Sequence, residues 1–179
     1  MTRFFFLAAM AVTVTAAAQE PPPAVSVRQL GGAYVVEARF QVAASRVIVH
    51  DVLTDYAGIP RFMPDIRTSV VRRRAGDSVI VEQEAESKFM LFSKTVHLML
   101  DVLEGERLIT FRDLCGKSFN RYEGTWTLSG EGPRATVVYR LTADPAFAVP
   151  ASVLKRLLDR NARQTIDSLR AEAALRSAR

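Results

Sequence analysis

The feature that most constrains the fold is a series of strand-like segments in the middle of the chain. Apolar and polar residues alternate within each segment, and glycine-containing or polar turns separate the segments. Alternation with a period of two and short glycine turns are typical of an antiparallel sheet built from hairpins. We therefore predict six consecutive strands, at about residues 66–74, 78–89, 94–103, 107–112, 120–128 and 134–143.

A long amphipathic segment follows the predicted strands. Residues 151–174 contain neither glycine nor proline, and apolar side chains recur there at steps of three and four. Basic residues take the opposite face, and Pro150 precedes the first helical turn. This pattern predicts a long C-terminal helix whose apolar face covers the dry side of the sheet. The chain is thus expected to fold as an α+β domain.

The first residues have the composition of a secretory signal peptide. Arg3 supplies a positive charge, residues 4–14 are almost entirely apolar, and small residues precede Gln19. The apolar run is shorter than the roughly 20 residues that a membrane-spanning helix needs. We predict a signal peptide at residues 1–18 with cleavage after Ala18, and an uncleaved anchor is the alternative. The mature protein is then expected to be soluble and either secreted or periplasmic.

The segment before the six strands contains three weaker signals. Residues 19–32 form a proline-rich leader with a short strand-like pattern, and residues 34–42 again resemble a strand. Ser45 is a suitable N-cap for a helix over residues 46–56. The β-branched residues of that helix also allow a strand, so both interpretations stay open.

With a single cysteine in the chain, no internal disulfide is expected.

Three stretches carry a resemblance to a known family: LTDYAGIPRFMP at residues 53–64, YEGTWTL at residues 122–128, and LKRLL at residues 154–158. They resemble the polyketide cyclase/dehydrase-like proteins, which include the coenzyme-Q-binding group and belong to the START-like (SRPBCC, helix-grip) superfamily. The resemblance implies a domain over residues 33–176 with the order β-α-α-β6-α. Its seven-stranded antiparallel sheet would wrap around the long C-terminal helix and enclose a hydrophobic tunnel.

Nine residues are candidates for the wall or mouth of that tunnel. Four aromatic residues alternate along predicted strands toward the helix, two leucines lie on the helix, and three residues of the proline-flanked loop would face the mouth. They are Phe111, Tyr122, Trp126, Tyr139, Leu154, Leu158, Ile59, Phe62 and Met63. Tyr and Trp combine an apolar ring with one hydrogen-bonding group, which suits a ligand cavity. Ordinary core packing is the alternative for the aromatic residues, and a plug at the open end of the sheet is the alternative for the loop.

The sequence contains no recognisable motif for catalysis or metal binding. The two histidines, His50 and His97, and the one cysteine, Cys115, are widely separated, so no metal site and no cofactor are expected. A basic run at residues 72–74 lacks the interleaved aromatic residues that accompany nucleic-acid binding, so no nucleic-acid partner is expected.

These observations favour a secreted or periplasmic protein that binds a hydrophobic small molecule, such as a lipid, a quinone or a polyketide-like compound. The basic face of the C-terminal helix is expected to allow peripheral contact with anionic membrane lipids. Two alternatives stay open. One is a cyclase- or aromatase-like enzyme with Tyr122, Tyr139 or His50 as a proton donor, although no converging acid–base pair supports it. The other is an envelope protein-interaction domain without a cavity.

Overall fold

The computed structural model describes residues 21–89 and 92–179. The predicted signal peptide at residues 1–18 lies outside these described residues, so its cleavage after Ala18 stays a prediction. Within the two described ranges, no helix is both long enough and apolar enough to cross a membrane.

One antiparallel sheet contains every strand of the described residues. The strands are β1 (Ala24–Leu30), β2 (Ala33–Val42), β3 (Ile66–Ala75), β4 (Ser78–Phe89), β5 (Phe92–Glu104), β6 (Leu108–Asp113), β7 (Phe119–Ser129) and β8 (Ala135–Pro145). Their order in the sheet is β1-β2-β8-β7-β6-β5-β4-β3, so β3 to β8 form a continuous meander. The six strands predicted between residues 66 and 143 are therefore confirmed.

The sheet has one strand more than the seven predicted. The additional strand, β1, lies in the leader segment and pairs with β2 from Ala24 opposite Arg39 to Leu30 opposite Ala33. A turn at Gly31 closes this hairpin with a φ of 62°, a conformation that glycine adopts without steric cost. Of the side chains in β1, only that of Val27 is buried. The alternation of this edge strand is therefore weak in the sequence.

The helical elements lie in two places along the chain. α1 (Arg46–Thr54), a single 3₁₀ turn (Tyr56–Gly58) and α2 (Ile59–Phe62) connect β2 to β3, and α3 (Ala151–Ser177) ends the fold. The predicted C-terminal helix is confirmed and continues three residues beyond its predicted end. The architecture is the predicted helix grip, in which a strongly wrapped antiparallel sheet packs around one long helix.

Side-chain caps determine where the first helix begins and ends. The Ser45 hydroxyl accepts a hydrogen bond from the Ile48 amide at 3.3 Å, which confirms the predicted N-cap. The helix ends two residues before its predicted end, because the Asp55 carboxylate accepts a hydrogen bond from the Gly58 amide at 3.1 Å. This bond starts the 3₁₀ turn and redirects the chain toward α2.

The core lies between the inner face of the sheet and one face of α3. In the C-terminal half of α3, Ile166, Leu169 and Ala173 are completely buried. In its N-terminal half, Leu154 and Leu158 keep 5% and 8% of their surface exposed. The sheet therefore packs tightly on the C-terminal half of the helix, and it leaves space beside the N-terminal half.

Candidate functional site

A cavity of about 710 Å³ lies between the sheet and the N-terminal half of α3. Strands β2, β3, β4, β5, β7 and β8 contribute wall residues, and α3 contributes the residues opposite them. The loop at residues 147–150 and the linker at residues 63–65 complete the enclosure. A volume of this size is typical of small-molecule binding sites in proteins, which range from about 300 to 1,000 Å³.

The mouth of the cavity lies between the linker before β3 and the loop before α3. Pro64 on one side and Ala148 and Pro150 on the other are lining residues that are also exposed to solvent. Proline has no backbone N–H and a fixed φ, so Pro64 and Pro150 restrict the backbone on both sides of the opening. The mouth is thus bordered by stiff, apolar chain segments.

Asp55 connects the chain segment before the linker to the C-terminal end of α3. Its carboxylate accepts hydrogen bonds from Arg176 at 2.7 Å and from Arg61 at 3.1 Å, in addition to capping the 3₁₀ turn. Arg176 also pairs with Glu172 at 2.7 Å on the same helix. These contacts hold the segment that carries Met63 in a fixed position against the long helix.

Most of the cavity wall is apolar. Strand residues supply one side, a buried phenylalanine supplies an aromatic surface, and leucines of α3 supply the other side. The principal apolar wall residues are Val36, Leu98, Leu141, Phe119, Leu154 and Leu158, all of which are buried. A ligand that enters this space leaves water and contacts hydrocarbon on several sides.

Five of the nine residues predicted from the sequence line the cavity. These five are Met63, Tyr122, Tyr139, Leu154 and Leu158. They come from the linker, from two neighbouring strands and from α3, so the fold brings together residues that are up to 95 positions apart in the sequence. Contact of these five residues with a ligand stays a prediction.

The structure places the other four predicted residues outside the cavity lining. Ile59 is buried in the core, and Phe62 borders a groove on the outer side of α3. α2 ends at Phe62, and Met63 already has an extended backbone (φ −109°, ψ 97°), so Met63 lines the cavity whereas Phe62 borders the groove. Trp126 and Phe111 lie beside cavity residues and pack against their rings.

The aromatic residues form two groups of contacting rings on the inner face of the sheet, one stacked and one tilted. Trp126 stacks on Tyr139 with 4.1 Å between ring centroids and an interplanar angle of 21°. Tyr122 lies between Phe119, at 4.8 Å, and Phe111, at 5.9 Å. Because the only tryptophan of the chain touches a cavity residue, its fluorescence can report on the cavity.

Two phenol groups, those of Tyr122 and Tyr139, lie on the strand wall of the cavity. Burial and then the negative charge of Asp113 raise the pKa of Tyr122 to about 12. Burial and then the neighbouring Tyr122 raise the pKa of Tyr139 well above its ordinary value. At neutral pH both phenols are therefore protonated, and they can act as hydrogen-bond donors or acceptors but not as bases.

Amide groups add polarity that the sequence interpretation missed. Asn161 on α3 lines the cavity, and its side-chain Oδ1 is buried without a partner among the described residues. Gln83 on β4 also lines the cavity and donates a hydrogen bond to the Ser69 hydroxyl at 3.1 Å. Asn161 lies four residues after Leu157 and therefore falls on the apolar stripe of α3. This position of a polar residue was the signal in the sequence that Asn161 faces the interior.

The histidines and the exposed arginines of the sheet lie away from the cavity. His97 Nδ1 is 3.1 Å from a Glu84 carboxylate oxygen on the outer face of the sheet. Arg112 and Arg140 also lie on that face and pair with carboxylates. His50 is half-buried on α1 next to Asp51, and it is not among the cavity-lining residues of the described chain.

An antiparallel sheet that wraps around a long helix and leaves an apolar cavity beside it defines the helix-grip class of folds. The chain belongs to the family described as polyketide cyclase/dehydrase and lipid transport, whose model matches residues 34–174. This match and the fold confirm the membership in the START-like superfamily that the sequence motifs indicated. A comparison with curated proteins gives no match.

Solved structures with the same fold come from several bacteria. The chain is similar to a START superfamily protein from Mycobacterium smegmatis, with 18% identity, a TM-score of 0.69, and coverage of 79% of this chain and 97% of that one. It is similar to the Zhui aromatase/cyclase from Streptomyces sp. R1128, with 17% identity, a TM-score of 0.71, and coverage of 80% and 95%. It is also similar to a STAR-related lipid transfer protein from Xanthomonas axonopodis, with 18% identity, a TM-score of 0.69, and coverage of 88% and 97%. At these identities the likeness concerns the fold.

Proposed function

We propose that this chain is a secreted or periplasmic binding protein for a hydrophobic small molecule, such as a lipid, a quinone or a polyketide-like compound. The observation that carries the proposal is the cavity of about 710 Å³ with its predominantly apolar wall. A packed interaction domain would fill this space with side chains, so the cavity counts against that alternative. One of the similar structures is named a lipid transfer protein, which agrees with a ligand of this class.

The free energy of binding would come mainly from removing apolar surface from water. Each 100 Å² of apolar ligand surface that enters the cavity contributes about 2.5 kcal/mol before the costs of association are subtracted. The sheet and α3 form most of the wall, and because these elements are fixed by the fold, the cost of ordering the site is low. Affinities in the micromolar range or tighter are therefore expected for ligands that fill the cavity.

Trp126 provides the most direct test of this binding. Because its ring stacks on Tyr139, a ligand in the cavity should change the tryptophan emission in a saturable manner. Nile red, a neutral apolar dye, should bind with increased fluorescence and be displaced by unlabelled hydrophobic compounds. The control is Trp126→Phe, which should lose the tryptophan signal but still bind Nile red. Absence of Nile red uptake by the folded wild-type protein would contradict the proposal.

A location outside the cytoplasm belongs to the same proposal. It is supported by the charged start, apolar run and small residues of the predicted signal peptide at residues 1–18. Mass spectrometry of the protein recovered from the periplasm or medium should show a chain that begins at Gln19. A full-length chain retained in the inner membrane would instead indicate an uncleaved anchor.

We further propose a peripheral contact between the mouth of the cavity and anionic phospholipid membranes. Lys155 and Arg156 are exposed in the first turns of α3, next to the apolar rim residues Ala148 and Pro150. Each cation near an anionic surface contributes up to about 1 kcal/mol. Co-sedimentation with phosphatidylglycerol vesicles should exceed that with phosphatidylcholine vesicles, and it should fall in the double variant K155E/R156E.

A matched variant separates a local contact from the effect of net charge. Arg134 is exposed at the opposite end of β8 from the loop that leads into α3. Arg107 is also exposed at that end, where it pairs with Glu131, so R107E/R134E changes the net charge as much as K155E/R156E does and leaves the mouth unaltered. Equal losses of vesicle binding in the two double variants would refute a docking surface at the mouth.

A cyclase-like enzyme is the second candidate, and the two cavity phenols favour it. Protonated Tyr122 and Tyr139 could donate hydrogen bonds to a carbonyl group of a folded polyketide-like substrate. One similar structure is named an aromatase/cyclase. If the enzyme hypothesis is correct, a bound poly-β-carbonyl compound should be converted to a cyclised product, and Tyr122→Phe and Tyr139→Phe should lower turnover. Release of the compound unchanged would reject this candidate and leave the binding function intact.

A further inference from the structure

The polar groups of the cavity specify more than an apolar ligand. Asn161 is the clearest case, because its Oδ1 is buried and has no hydrogen-bond partner in the described residues. A buried polar oxygen without a partner is unfavourable, and proteins rarely leave one unless a ligand or a water molecule satisfies it. Asn161 lines the cavity through other atoms, so a rotation of its terminal amide would present Oδ1 to a donor of a molecule inside the cavity.

The strand wall opposite α3 contributes a second set of groups. Tyr122 and Tyr139 line the same cavity from the neighbouring strands β7 and β8. A phenol both donates and accepts, so each can bind an oxygen atom of a ligand. The cavity therefore offers one unpartnered acceptor on the helix and two phenol groups on the sheet, within an otherwise mostly apolar enclosure.

The charges at the cavity argue against an anionic group inside it. No lysine, arginine or histidine is among the described residues that line the space. The charged lining residues are Asp65 and Glu86, and Glu86 pairs with Arg67 on β3. A carboxylate or phosphate placed beside these described lining residues would lose its hydration without gaining a cation from them, which is unfavourable.

We propose that the cavity selects an uncharged amphiphile that carries at least one hydroxyl group, whose O–H donates to Asn161 Oδ1 and whose apolar remainder fills the space. Fatty-acid anions and charged phospholipid head groups are discriminated against inside the cavity. Further ligand oxygens, from a hydroxyl or a carbonyl group, accept hydrogen bonds from Tyr122 or Tyr139. This inference rests on the proposed binding function and names the class of ligand for that same site.

Three probes of the same chain length separate these chemical properties. Decan-1-ol can donate a hydrogen bond, decyl methyl ether cannot, and decanoate is charged at pH 8. In displacement of Nile red from the full mature protein, we expect decan-1-ol to bind about three- to tenfold more tightly than its methyl ether. Decanoate should bind at least about tenfold more weakly than the alcohol.

Variants of the polar groups assign the effect to particular residues. Asn161→Leu should remove the preference for the alcohol over the ether while keeping the affinity for the ether within about twofold. Tyr122→Phe should keep that preference, because the Asn161 acceptor is unchanged. If Asn161→Leu does not fold, as judged by circular dichroism, the comparison of alcohol and ether on the wild-type protein decides alone.

The outcomes distinguish this inference from the proposed function. The folded protein could take up Nile red and yet bind the three probes equally, or bind decanoate or the ether most tightly. Either result would overturn the selection for a neutral hydroxyl compound, and the binding function would still stand. Failure of the folded protein to take up Nile red or any probe would refute the binding function itself.

Discussion

Two alanines on α3 allow one substitution to test the open space inside the fold. Ala162 lines the cavity and is 5% exposed, whereas Ala173 is completely buried in the packed half of the helix. The two positions are eleven residues apart and lie about three turns along the same face. Ala162→Phe and Ala173→Phe therefore introduce the same ring into an open site and into a packed site.

The expected magnitudes differ because only one site has room for the ring. At Ala173 the added atoms force neighbouring side chains and backbone to move, which costs about 1–3 kcal/mol or more. At Ala162 the ring can extend into the cavity of about 710 Å³, so the loss of stability should stay below about 1 kcal/mol. The same ring then occupies ligand space, and Nile red affinity should fall at least about tenfold, or about 1.4 kcal/mol.

The assay combines urea unfolding, followed by circular dichroism, with Nile red titration of each variant. Ala174→Phe, one position further along α3 and exposed, is the control for the effect of the substitution on the helix itself. It should change neither the unfolding free energy nor the dye affinity appreciably. Equal destabilisation by Ala162→Phe and Ala173→Phe, or unchanged dye binding in Ala162→Phe, would refute the reasoning.

Three further predictions concern the sheet, the linker and the phenols. Gly124→Ala should destabilise the protein by about 1–3 kcal/mol in urea unfolding, because a Cβ there would overlap the Arg140 carbonyl oxygen; an unchanged midpoint would contradict this. Asp55→Asn keeps a capping oxygen but loses the ion pair with Arg176. The free energy of unfolding should therefore fall by about 1 kcal/mol. Equal stabilities of the variant and the wild type would argue that this ion pair does not stabilise the fold. The raised pKa of Tyr122, about 12, stabilises the fold fully below about pH 10 and progressively less as pH rises toward 12. Tyr122→Phe should therefore lose less stability than wild type between pH 9 and 11, and parallel losses would contradict the assignment.

The fold was largely predictable because its signals are local and regular. Alternation with glycine turns located β3 to β8, and the uninterrupted three- and four-residue spacing located α3. β1 was foreseen only as a short strand-like pattern, because an edge strand with Val27 as its one buried side chain carries little alternation. α1 ends early because the Asp55 side chain accepts a hydrogen bond from the Gly58 amide. Whether this side-chain bond or continued helical backbone bonding prevails cannot be read from composition.

The cavity was harder to predict than the fold. Alternation correctly assigns Tyr122 and Tyr139 to the inner face, but it assigns Trp126 to the same face without showing that its ring packs beside the cavity. The end of α2 between Phe62 and Met63, which places their side chains at different surfaces, is likewise a property of the folded chain. Asn161 was overlooked because a single polar residue among leucines is most often a solvent-facing residue at the edge of the stripe.

The central claim is that the space beside the N-terminal half of α3 binds a hydrophobic small molecule. Native mass spectrometry of the mature protein, recorded before and after incubation with decan-1-ol, tests this claim most directly. We expect either a co-purified neutral compound that dissociates on activation or a stoichiometric alcohol adduct, and loss of the alcohol adduct in Ala162→Phe. A folded protein that carries no co-purified compound and takes up no alcohol would contradict the account.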